Sequence, residues 1–120
     1  MPEITSEQFA IFKNECERLV ERFGLFGWDI GYGLKDADDN IAECSGDVQA
    51  RTANITIARE LEESDGEYEA ILDHARHEVL EVLMLRINSL MLSNHISDEE
   101  ADEARHEVIN ILNRILKGVI

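Results

Sequence analysis

The sequence predicts an α+β fold: one helix, a three-stranded antiparallel sheet, a long helix and a closing helix, within a single domain spanning 1–120. Two changes of hydrophobic period carry that expectation. Apolar residues recur at helical spacing up to Gly24, alternate from Trp28 to about Ile57, and return to helical spacing after Gly66. The third observation is size. A chain of 120 residues fits one domain, and 44% hydrophobic residues are enough to build its core.

The first helix opens at Thr5-Ser6-Glu7-Gln8, the pattern of a capping box. Phe9, Phe12, Cys16, Leu19, Val20 and Phe23 form its apolar stripe, and Gly24 ends it. Trp28, Ile30, Tyr32 and Leu34 then alternate with polar residues and glycines as a first strand. Lys35 to Asn40 is a polar turn. A second strand runs through Ala42, Cys44, Gly46, Val48 and Ala50, and its small inner face calls for a bulky neighbour. Ala53, Ile55 and Ile57 mark a third strand, and the short connections predict antiparallel pairing.

Glu60 to Gly66 is expected to be a loop. A helix from Glu67 to about Leu92 follows, with Leu72, Ala75, Val79, Leu83, Ile87 and Leu90 on its apolar face. Ser93-Asn94-His95-Ile96 breaks it. Ser97 and Glu100 start the closing helix as a second capping box, and Ala101, Val108, Leu112, Ile115 and Val119 mark its buried stripe. One core is expected to hold Trp28, Ile30, Ile55, Ile57, Val79, Leu83 and Leu112 together. Arg105 falls on the side assigned to burial, where it is expected to pair with an acid from the long helix or to snorkel.

Charge narrows the function. With 26 acids against 11 bases the net charge is −15, which speaks against direct binding to nucleic acid or to anionic membranes. A peptide or protein partner is expected instead. Cys16 and Cys44 form no CxxC, so buried, reduced thiols in a cytoplasmic protein are expected. The start Met1-Pro2-Glu3-Ile4-Thr5 has no basic and apolar run of the signal-peptide kind.

The chemistry-capable residues cluster on the long helix. His74, His77, Glu78 and Glu81 stand at i, i+3, i+4 and i+7, within one quadrant and apart from the face of Leu72, Val79 and Leu83. The same residues also admit an ordinary reading, as solvated acids and i, i+4 pairs (Asp73 with His77, His74 with Glu78) worth a few tenths of a kcal/mol.

The stretch His77-Glu78-Val79-Leu80-Glu81 resembles the active helix of zincin metallopeptidases. The whole chain resembles the minimal, SprT-like metallopeptidases of phages and prophages, which share this order of elements; Trp28, the third strand Asn54-Ile55-Thr56-Ile57 and the closing stretch from Glu103 to Leu112 suit that likeness. The resemblance implies a divalent metal, zinc first, and a hydrolase acting on peptides in the cytoplasm, that of the host if the chain is phage-encoded. It implies Glu78 as general base and His77 and Glu81 as metal ligands, with His106 from the closing helix as the third. The chain departs from the His-Glu-x-x-His pattern, since Glu81 stands in place of the second histidine. That ligand set is harder and more anionic, and it shifts preference toward Mn²⁺ or Mg²⁺. The alternative expectation is a non-enzymatic acidic protein that blocks or mimics nucleic acid for a host partner. Its carboxylates cluster at 36–39, 60–69 and 98–107.

Overall fold

A computed structural model describes residues 1–91 and 97–119. Helix α1 spans Ser6–Arg22, strands β1, β2 and β3 span Asp29–Lys35, Ala42–Asp47 and Thr52–Ala58, and helices α2 and α3 span Tyr68–Met91 and Asp98–Val119. The α+β order is the expected one. The predicted break at Ser93-Asn94-His95-Ile96 lies outside the described residues, as do Leu92 and the side chains of Ile87, Leu90 and Val119. No described helix is long and apolar enough to cross a membrane.

Local chemistry sets the helix ends. The Gln8 amide donates to Thr5 Oγ1 at 3.0 Å and Gln8 Oε1 accepts from the Thr5 amide at 2.8 Å, a complete capping box. Gly24 stops α1 in the left-handed region at φ 71°, where a side chain would be strained. Ser97 Oγ accepts from the Glu100 amide at 3.1 Å at the start of α3.

The sheet corrects one expectation: it is mixed, not antiparallel throughout. Its order is β1-β3-β2, with β2 antiparallel to β3 but β1 parallel to it. The physical reason lies in β3. Thr52–Ala58 carries no charged residue and buries Ala53, Ile55, Ile57 and Ala58, so it takes the central place. β1 and β2 carry Asp29, Lys35, Glu43 and Asp47, which suit sheet edges. The connection 36–41 crosses the end of β3, about two strand spacings or 10 Å. There Ile41 O accepts from the Ala58 amide and Lys35 O from the Arg59 amide, both at 2.8 Å.

β2 is shorter than expected. Asp47 Oδ1 accepts from the amides of Gln49 and Ala50, so the chain turns at Val48 rather than continuing to Ala50. Its small inner face does meet a bulky neighbour. A Cβ on Gly46 would lie 2.8 Å from Leu85 Cδ1 of α2. The loop after β3 contains one 3₁₀ turn, Ser64–Gly66.

The core joins Phe12, Cys16 and Leu19 of α1 to Ile55 and Ile57 of β3 and to Ile71, Ala75, Val79, Val82 and Leu83 of α2. Trp28 and Ile30 are half-buried against it. Leu112 is a correction: it is 41% exposed, and α3 instead turns Ala104, Val108, Ile111 and Ile115 inward. Both stripes share Val108 and Ile115 and have helical spacing, so periodicity alone could not choose between Ile111 and Leu112. The rotation also moves Arg105 outward, where it pairs with Asp102 one turn earlier.

Candidate functional site

α2 packs on α1 and on β2, and these contacts grade the exposure of its candidate residues. Round the helix from the core stripe of Ala75, Val79 and Val82 come Glu78, His74, Glu81 and His77, in that order. Glu78 is 5% exposed, while the side chains of His74, Glu81 and His77 are 23%, 44% and 70% exposed. The expected single face therefore divides. Glu78 belongs with the buried stripe toward β2, and His77 belongs to solvent.

His77 and Glu81 meet across one turn, with Nε2 3.5 Å from Oε1. Glu78 stands on the inner flank of this pair. Burial raises its carboxyl above the ordinary glutamate range; the nearby His77 pulls it back down, and Glu81 and Glu43 push it further up. It makes no hydrogen bond among the described residues. Among the described residues, His74 Nε2 is a fully enclosed side-chain nitrogen without a hydrogen-bond partner. His74 Nε2 lies 4.0 Å from Asp65 Oδ1 in the 3₁₀ turn, beyond hydrogen-bond length.

His106 is not brought to this pair. It lies mostly exposed on α3, where its Nδ1–H donates to Asp102 O at 2.9 Å, and Asp102 Oδ2 is 3.6 Å away. Among the described residues no three His, Cys, Asp or Glu side chains gather as a metal-holding group.

The β2 side of the site was not read from the sequence. Cys44 faces Glu78 and Glu81; burial, then these two carboxylates, push its thiol up to about 12. Glu43 is held by Lys35, whose ammonium donates to Glu43 Oε1 at 3.0 Å and to Asp38 Oδ1 at 2.6 Å. Burial works to lower the Lys35 pKa, but those two carboxylates outweigh it and the net shift is upward. The alternation Ala42, Cys44, Gly46 does carry a signal for this wall, since it places Cys44 on the face α2 covers. Nothing in the sequence couples it to position 78. The result is a protected carboxyl between a helix and an edge strand, with an imidazole and a second carboxylate on its open side. Such a group accepts a proton more readily than an ordinary glutamate.

No protein family, curated protein or solved structure was found to match this chain.

Proposed function

We propose that the protein is a zincin-like, metal-dependent hydrolase acting on extended peptides. The observation that carries this reading is the 3.5 Å approach of His77 Nε2 to Glu81 Oε1 on the open side of Glu78, a carboxyl whose proton affinity is raised by burial. The donor types fit a divalent cation held by His77 and Glu81. With His106 apart, this pair leaves more of the coordination shell to water than a three-ligand zinc site does. That balance suits Mn²⁺ or Mg²⁺ better than catalytic zinc. A bound cation would polarise the scissile carbonyl.

The chain's own residues do the rest. Glu78 takes a proton from the attacking water and passes it to the departing amine. β2 is an edge strand beside this face of α2, so an extended peptide paired to it would run past Glu78. A quenched-fluorescence peptide pool with Mn²⁺, Mg²⁺ or Zn²⁺ tests the reading. Glu78→Gln should lower the rate by about 10²–10⁴. An active wild type whose rate is unchanged by Glu78→Gln would overturn it.

A second reading is favoured by the place of His106. It shares a shallow face of α3 with Glu99, Asp102, Glu103 and Glu107, an array of carboxylates on one helix. In that reading the chain is a non-enzymatic acidic protein that occupies the nucleic-acid site of a basic partner. Reversing Glu99 and Asp102 to lysine would then abolish partner capture, while Glu78→Gln would leave it intact.

A further inference from the structure

The far edge of the sheet carries a separate feature. β1 pairs with β3 on one side and has no partner strand on the other among the described residues. The Asp29 amide donates to Arg51 O, and Lys35 O accepts from the Arg59 amide, so Asp29, Gly31, Gly33 and Lys35 direct their backbone groups inward to β3. By strand alternation, the N–H and C=O of Ile30, Tyr32 and Leu34 point outward along the open edge.

Beside that edge α1 and β1 enclose a groove of about 400 Å³. Its apolar wall is Phe26, Trp28, Ile30 and Tyr32, and its α1 rim carries Glu17 and Glu21. Phe26 is 76% exposed at the mouth, a large apolar area open to solvent. Trp28 is held in place by Arg51, whose guanidinium carbon lies 5.6 Å from the ring centre. Burial, then the neighbouring Cys16 and Glu17, push the Tyr32 phenol up to about 12, so it stays a hydrogen-bond donor at neutral pH.

We infer that the β1 edge and this groove together bind an extended peptide segment of a partner protein, one that alternates basic and aromatic groove-facing residues. Three independent features converge on that occupant. The open edge offers alternating donors and acceptors to a strand. The aromatic wall accepts a large apolar side chain. The two glutamates, in a chain of net charge −15, select lysine or arginine and repel acidic peptides. This surface lies on the opposite edge of the sheet from β2, and its function does not depend on the reading of α2.

The test is amide-resolved NMR of the whole chain titrated with a short capped peptide in which threonine alternates with lysine, phenylalanine and lysine. Saturable shifts are expected at the amides of Ile30, Tyr32 and Leu34 and at the Trp28 indole, with slowed hydrogen exchange along β1. Phe26→Ala should weaken binding at least about tenfold, as truncating a buried anchor does. Glu17→Lys with Glu21→Lys should weaken it further and remove its salt dependence. Both variants alter exposed positions, and the same spectra report whether they remain folded. The proposal is overturned if the peptide shifts no β1 amide, if the shifts fall on β2 instead, or if a glutamate-for-lysine peptide binds equally well. Shifts at β1 that grow with protein concentration alone would also overturn it, since the occupant would then be a second copy of the chain.

Discussion

Gly46 and Leu85 lock β2 to α2: a Cβ at Gly46 would stand 2.8 Å from Leu85 Cδ1 and 2.7 Å from the Thr52 carbonyl oxygen. The side chain can yield, but the carbonyl belongs to β3 and cannot move without disturbing the sheet. Gly46→Ala should therefore destabilise the fold by about 1–3 kcal/mol in urea melts. Adding Leu85→Ala should not restore it, because the backbone clash remains. Full recovery in the double variant would show that the Leu85 contact alone matters.

Glu78 sets a pH dependence of stability. Its folded pKa is raised above the ordinary value by burial, so the folded state holds the proton more tightly than the unfolded chain. Stability from this group is therefore greatest below the unfolded value of about 4.3 and falls as pH rises through the raised folded value. Glu78→Gln should flatten that slope and be relatively more stable than wild type at pH 7 than at pH 4. The opposite order would mean that burial does not dominate at this carboxyl.

His77 and Glu81 give a readout that needs no turnover. A cation that binds only the folded state adds about 2.7 kcal/mol at a hundredfold excess over its dissociation constant. Thermal melts of wild type should thus rise with Mn²⁺ or Zn²⁺ and fall back with a chelator, while His77→Ala should melt alike in all conditions. Wild-type melts indifferent to every metal would argue against the pair as ligands.

The thiols should be chemically silent in the native state. Burial pushes both Cys16 and Cys44 up to about 12, against about 8.5 in the unfolded chain. Iodoacetamide at pH 8 should leave both unmodified until denaturant is added. Stability should decline above about pH 8.5, where only the unfolded thiols ionise. Prompt native-state alkylation of Cys44 would show that α2 does not cover it.

The rotation of α3 can be read from two neighbours. Ile111 is buried and Leu112 is largely exposed. Ile111→Ala should cost about 2–5 kcal/mol, whereas Leu112→Ala should stay within about 0.5 kcal/mol. Equal losses would restore the stripe that periodicity alone selects.

The helices and strands were legible along the chain, because caps, glycines and hydrophobic period act over a few neighbouring residues. Thr5 and Gln8, Gly24 and Ser97 close helix ends with local hydrogen bonds or a local φ, and the alternation through Ile55 and Ile57 marks a strand wherever it packs. Tertiary structure decided which strand lies at the centre, since that choice compares the burial of β3 with the charges of β1 and β2. It also decided how far each helix turns about its axis. A rotation of a few tens of degrees exchanges Leu112 for Ile111 as the inward residue of α3, and about 100° about the axis separates buried Glu78 from open His77 on α2. Such rotations are fixed by the shapes that meet, Leu85 against Gly46 among them, and no spacing along the chain records them. The motif His77-Glu78-Val79-Leu80-Glu81 was therefore legible as a set of chemical groups, while the division of that set into a buried carboxyl and an open pair came only from what α2 packs against.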